Sequence, residues 1–183
     1  MKSVLISIKP KWCELIANGK KTVEIRKRRP KMDTPFKCYV YCTKDNHGWV
    51  DFSKKERLDG KVIGEFVCNE VDRIAHCGTC NNDIRLNIVD KNLYHKELSY
   101  DYLSKSKLSY YYIDKYSNAR DVYGWHISDL VIYDKPKELS DYHKYISYFD
   151  GISIEELEAE GVNGLRIKRP PQSWCYVEEI ERN

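Results

Sequence analysis

Nowhere in this chain of 183 residues do apolar side chains run for the roughly 20 positions that a helix needs to cross a bilayer. The first apolar stretch, Val4 to Ile8, is too short for a secretory leader and meets Lys9-Pro10 at once. The expectation is a cytoplasmic protein with no membrane partner. A strong excess of one charge is lacking as well, since 31 Lys and Arg stand against 28 Asp and Glu, a formal +3. Bulk charge therefore says nothing for or against nucleic acid, and such a reading has to rest on where the cations stand. Phosphate-cradling glycine loops of the P-loop or dinucleotide type are missing, and so is the G-x-S-x-G nucleophile elbow, which leaves the major kinase and hydrolase classes unsupported. There is no internal repeat.

What is present is an ordinary globular composition, 42% hydrophobic and 32% charged, at a length that buries a core without disulfides or metals. One domain over 1–183 is the default. Seven cysteines in a reducing compartment stay as thiols, so Cys13, Cys38, Cys42, Cys68 and Cys175 read as small buried hydrophobes. Alternation along a strand places Cys38 and Cys42 on one face, as core residues. His76-Cys77-Gly78-Thr79-Cys80 contains a C-x-x-C with a histidine beside it. A structural zinc site usually needs a second ligand pair, so an ordinary loop is the preferred reading and neither a metal nor a cofactor is assigned.

Ser3 to Ile8 alternates as a strand does, and Pro10 can open a helix whose apolar positions Trp12, Cys13, Leu15 and Ile16 lead to a stop at Gly19. Thr22 to Lys27 resumes as a strand, with Val23 and Ile25 on one face and Thr22, Glu24 and Arg26 on the other. Further strands are expected at 37–43, 61–71, 122–133 and 172–179, each rich in β-branched or aromatic residues. A tyrosine-rich helical stretch covers 99–116 within an insertion at about 83–118. A short helical segment spans about 137–161, with a helix over 137–145 and another after Ser153, where Ser153 and Glu156 form a capping box and Gly161 supplies a stop. The expected class is α+β: a small barrel of about five or six mixed strands with an N-terminal helix and helical insertions.

Cations crowd one N-terminal stretch, Lys20, Lys21, Arg26, Lys27, Arg28, Arg29 and Lys31, while Glu155, Glu156, Glu158 and Glu160 crowd the other end. Within the basic stretch, Gly19-Lys20-Lys21-Thr22-Val23-Glu24-Ile25-Arg26 fits G-x-K-x-x-E-x-R. Gly19 lets the chain reverse after the helix, Lys21 can arch over a cleft floor, and Glu24 and Arg26 point the same way from one strand face. A carboxylate there can accept from an exocyclic amine, and a guanidinium can hold phosphate bidentately or stack on a base. The alternative is that Glu24 and Arg26 simply pair across to neighbouring strands. The motif, at the start of the chain after a strand and a helix, resembles the ASCH domain family, and the segment Arg169 to Val177 resembles its closing strand.

That resemblance implies a PUA-like β-barrel related to the EVE and YTH folds, with a cleft beside the N-terminal helix that receives RNA or a modified base. It implies a binding module for RNA, a nucleotide or a modified nucleoside, with Lys9, Trp12, Gly19, Lys21, Glu24, Arg26, Trp125, Ser173 and Trp174 as ligand contacts. One subset of the family hydrolyses N4-acetylcytidine with a lysine matched by Lys21, a threonine matched by Glu24 and a further glutamate. Here the pattern breaks, because a glutamate stands at the threonine position and the further glutamate has no counterpart that can be located. Lysine with threonine suggests an activated hydroxyl, whereas Lys21 with Glu24 suggests an ion pair. An amidohydrolase or nuclease, with Lys21 and Glu24 sharing proton transfer, is thus the alternative function.

The 15 tyrosines can stack on bases while keeping a polar tip. The Tyr110-Tyr111-Tyr112 run reads first as helix packing, Trp12, Trp125 and Trp174 as core unless they frame the cleft, and His126 as structural. A protein partner bound through the 83–118 insertion is a further possibility.

Overall fold

The computed structural model describes residues 1–44, 50–51, 56–80, 83–90, 93–147, 152–162 and 164–179. Among the described residues ten strands and four α-helices succeed one another: β1 (Lys2–Ile8), α1 (Pro10–Ala17), β2 (Val23–Arg26), β3 (Phe36–Cys42), β4 (Val50–Asp51), β5 (Glu56–Arg57), β6 (Val62–Cys80), β7 (Asp83–Val89), β8 (His95–Glu97), α2 (Tyr100–Ser106), α3 (Tyr110–Ser117), β9 (Val122–Lys137), α4 (Ile154–Ala159) and β10 (Trp174–Glu178). Eight strands form one open mixed sheet in the order β10-β1-β3-β6-β7-β8, from which β9 branches at β6 and carries β2, while β4 and β5 pair separately.

The expected closed barrel of five or six strands is therefore overturned by a mostly-sheet fold of eight strands in an open sheet. The reason lies in strand lengths that local pattern did not show. β6 continues nine residues beyond the expected end at Val71, and the segment read as a helical insertion first returns as β7 and β8. β7 pairs antiparallel with β6 from Arg73↔Val89 to Cys80↔Asp83, with an irregularity between His76 and Thr79, and β8 pairs with β7 from Asn87↔Glu97 to Val89↔His95. Pairing to an existing strand overrode the weak strand propensity of these polar residues. The helix expected over 137–145 is only a single 3-10 turn at Leu139–Asp141, because β9 runs on to Lys137. The helix after Ser153 is present with both halves of its capping box.

The chain divides into two compact units. The first comprises residues 1–14, 36–67 and 129–183. Its centre is β1, antiparallel to β10 from Lys2↔Glu178 to Ile6↔Trp174 and parallel to β3 from Val4↔Cys38 to Ile8↔Cys42. From Ser3 to Ile8 this central strand is buried, and Val4, Leu5, Ile6, Cys38, Val40 and Cys42 are dry. Leu5, Tyr39, Tyr41, Val62, Tyr142 and Val177 form its hydrophobic cluster, in which the Tyr39 and Tyr142 rings meet edge to face at 4.9 Å. Gly64 is required here by close approach, since a Cβ would strike the Val131 carbonyl oxygen.

The second unit comprises residues 15–35 and 68–128. β2 pairs antiparallel with β9, Val23↔His126, Glu24↔Trp125, Ile25↔Gly124 and Arg26↔Tyr123. One face of this ladder, Val23, Ile25 and Val122, packs with Ile74 from β6, Leu86 from β7, Leu98 between β8 and α2, Tyr102 from α2 and Ile113 from α3. Gly124 has no side chain to spare, because the Tyr102 hydroxyl occupies the place its Cβ would take. The opposite face of β2 carries Glu24 and Arg26.

Candidate functional site

The turn between α1 and β2 sets the site. Gly19 has φ +66, the left-handed conformation that glycine adopts without cost, and its N–H donates to Ile16 O at 2.8 Å. The N–H groups of Lys20 and Lys21 both donate to Leu15 O, at 2.8 and 3.0 Å, which closes the helix and turns Lys21 back over its end. β2 is then held from two sides. Thr22 N donates to Lys105 O at 3.0 Å, and Ile127 N donates to Thr22 O at 2.9 Å.

Lys21 is 2% exposed, and its Nζ donates to Val23 O at 2.8 Å and to Ser106 O at 2.5 Å while standing 3.2 Å from Glu24 Oε2. An ammonium has three N–H donors, and these three acceptors match them. Ser106 and Lys105 are the last residues of α2, whose carbonyl end carries the negative pole of the helix. Burial pulls the Lys21 pKa down from its usual value, and the Glu24 carboxylate opposes that shift. The other oxygen of Glu24, Oε1, stands 3.2 Å from Arg26 Nη2. Lys21, Glu24 and Arg26 are thus a line of alternating charge. It runs from a dry interior to a guanidinium that is 11% exposed. The expected Lys21–Glu24 ion pair is present, and Glu24 pairs with its own strand neighbour Arg26.

Beyond Arg26 the chain turns outward, and Lys27, Arg28, Arg29 and Lys31 are all exposed. Lys27 Nζ lies 5.0 Å from the ring centroid of Tyr116 on α3, within cation–π range. Burial, first, and the Glu24 charge raise the Tyr116 pKa, while the Arg26 charge opposes them. The second unit holds fifteen Lys and Arg against ten Asp and Glu, a formal +5, whereas the first is −2.

The remaining candidates fall in different places. Trp125 lies opposite Glu24 on β9 and is wholly buried. Lys9, Trp12, Ser173 and Trp174 belong to the first unit. Lys9 is exposed and its carbonyl accepts from Trp12 N at 2.9 Å at the start of α1; Lys11 Nζ stands 4.5 Å from the Trp12 ring. Ser173 O accepts from Ser7 N at 2.9 Å, and the Trp174 ring meets Tyr176 edge to face at 5.3 Å. Cys13, Cys38, Cys42 and Cys68 are buried and Cys175 partly so; burial pushes the Cys68 thiol up to about 12 and Cys175 to about 11. His76 Nε2 is 2.7 Å from Ser117 Oγ, a hydroxyl that itself donates to Asp114 O. The side chains of Cys77 and Cys80 lie outside the described residues.

Sequence reasoning passed over three contributors. Ser106 acts through a backbone carbonyl, which leaves no trace in residue type. Tyr116 was legible only as the end of the tyrosine-rich helical stretch 99–116. Asp72 on β6 belongs to no motif, yet its Oδ2 lies 2.6 Å from His126 Nε2. That contact raises the His126 pKa above the usual 6.5, against the opposing effect of burial.

A sequence profile of the ASCH domain matches residues 6–171. No curated protein matches the chain. Among solved structures the chain is similar to ASCH from Zymomonas mobilis, at 18% identity over 97% of this chain and 88% of that one, with a TM-score of 0.55. A tyrosine-to-phenylalanine variant of the same Zymomonas mobilis protein matches at 19% identity over 98% and 92% of the two chains, with a TM-score of 0.54. At such identities the likeness speaks for the fold alone.

Two outcomes are expected. Glu24→Ala strands the buried Lys21 ammonium and costs about 3–5 kcal/mol in urea unfolding, whereas Lys21→Met combined with Glu24→Gln recovers part of that loss. Because the folded pKa of His126 is raised, its contact with Asp72 stabilises fully below pH 6.5 and fades as pH climbs through the folded value. The thermal midpoint of Asp72→Asn lacks that decline on the alkaline side, and the His126 imidazole titrates at lower pH by NMR.

Proposed function

The chain belongs to the ASCH domain family, often linked to RNA binding, and from that premise we propose that it is an RNA- or nucleotide-binding module whose contacts are made from the basic end of β2. The observation that carries this reading is the line Lys21–Glu24–Arg26, which ends at the surface beside Lys27, Arg28, Arg29 and Lys31. Glu24 holds the Arg26 guanidinium in place by one of its nitrogens, and a pre-positioned guanidinium loses less freedom when it meets a phosphate or a base edge. The exposed cations that follow add the long-range attraction of a polyanion.

In this reading Lys21 is a positioning residue. Its N–H donors are spent on Val23 O, Ser106 O and Glu24, so it serves the ligand by fixing Glu24, and through Glu24 the guanidinium. The same geometry argues against Lys21 as a proton acceptor in an amidohydrolase or nuclease, since a lysine that donates to three oxygens has no lone pair to offer. In this reading Trp125, wholly buried opposite Glu24 on β9, supports the strand.

Fluorescence anisotropy with a single-stranded RNA oligonucleotide tests the proposal. Arg26→Ala weakens binding, and Arg28→Ala with Arg29→Ala lowers the slope of log K against log salt by about 1.4, roughly 0.7 for each lost phosphate contact. Binding that ignores salt, or none at all by the unaltered protein, overturns it.

A further inference from the structure

We propose that the exposed tyrosines of α3 form a stacking platform for unpaired nucleotides, which continues the basic end of β2 and selects single-stranded over duplex RNA. The inference rests on the binding reading above and adds to it the form of the ligand and the surface that receives it. α3 turns Ile113 and Ser117 inward, at 0% and 2% exposure, and this fixes what faces out. Tyr111 is 66% exposed, Tyr112 59% and Tyr116 37%. The run therefore does not serve helix packing as a whole; of its three tyrosines only Tyr110 packs against the core cluster.

Three features favour nucleic acid as the occupant. First, Tyr112 and Tyr116 stand one helical turn apart on one side of α3, and Tyr116 is also the residue that meets Lys27 at 5.0 Å, so the aromatic row begins where the basic segment begins. Second, a cation attends the row at each end: Lys27 at Tyr116, and Lys115 with its Nζ 5.9 Å from the Tyr111 ring. Third, the acid on this helix, Asp114, is directed at His76, 3.5 Å away, and the unit as a whole carries a formal +5. Exposed aromatic rings interleaved with Lys suit a polyanion whose bases are free to stack. A duplex keeps its bases stacked on one another and has none to give. Tyr111 and Tyr112 already meet nearly edge to face, at 84° and 6.4 Å, so each keeps a ring face for an incoming base.

The test compares one RNA sequence as a single strand and as a duplex against Tyr112→Ala, Tyr116→Ala and the matching Phe variants. The expected result is a loss of single-strand affinity of at least fivefold in each Ala variant, affinity near the original in each Phe variant, an unchanged salt slope, and duplex binding that is weaker and indifferent to these changes. Thermal midpoints of the Ala variants, at positions this exposed, report that the fold is intact. If the Ala variants bind single strands as tightly as the original while Arg28→Ala with Arg29→Ala binds more weakly, the platform is overturned, the binding function stands, and the tyrosine row is left to a protein partner. Equal losses for single strand and duplex also overturn it. No binding of either RNA by the unaltered protein overturns both the platform and the function on which it rests.

Discussion

An ammonium group taken out of water has to find three acceptors at once, and much of the second unit is arranged around meeting that demand for Lys21. Val23 O comes from β2 itself, Ser106 O from the last residue of α2, and the carboxylate from Glu24 one pleat further along. Two of these acceptors are local and the third, Ser106 O, lies 85 residues along the chain, so satisfying the lysine brings the end of α2 against the start of β2. The Thr22–Lys105 backbone contact follows the same seam. With Lys21 in place, one oxygen of Glu24 is committed inward and the other is left for Arg26. The buried pair is weak evidence for stability as such, because desolvating both charges costs about what their attraction returns. Its contribution is geometric: it decides which way Glu24, and therefore Arg26, points.

A division of labour follows along residues 21–31. Lys21 and Glu24 are spent inside the protein, Arg26 stands at the boundary, and Lys27, Arg28, Arg29 and Lys31 face solvent. Charge of this kind acts at two ranges. The exposed cations attract any polyanion and are screened by salt, whereas the held guanidinium acts only at contact, where direction matters. Tyr116 joins the two, since the charges of Arg26 and Glu24 act on its hydroxyl and it carries Lys27 over its ring. On the opposite face of the same strand pair the environment is largely apolar, with the Tyr102 hydroxyl over Gly124 and His126 meeting Asp72.

Much of the site was legible because its determinants are local. Pro10 opening α1, Gly19 closing it at positive φ, and the alternation of Val23 and Ile25 with Glu24 and Arg26 are all properties of a few neighbouring residues. The capping box at Ser153 was legible for the same reason. The closed barrel was not a sound expectation, since closure depends on how long strands pair and where they end. β6 reaches Cys80 and β7 and β8 form from polar residues such as Asn87, His95 and Lys96 only because a neighbouring strand supplies their hydrogen bonds. The 139–141 turn failed to extend into a helix because β9 claims residues up to Lys137. Likewise the pairing of Lys21 with Ser106 spans 85 residues and uses a carbonyl oxygen that every residue possesses.

The central claim is that Lys21 works inside the protein and Arg26 at its surface. Side-chain NMR reads the two directly, through the Lys21 Nζ and Arg26 guanidinium resonances during titration with a single-stranded RNA oligonucleotide. The account requires the Arg26 signals to move with occupancy while the Lys21 ammonium stays slow to exchange and unshifted. A Lys21 resonance that shifts with the ligand while Arg26 remains silent contradicts it.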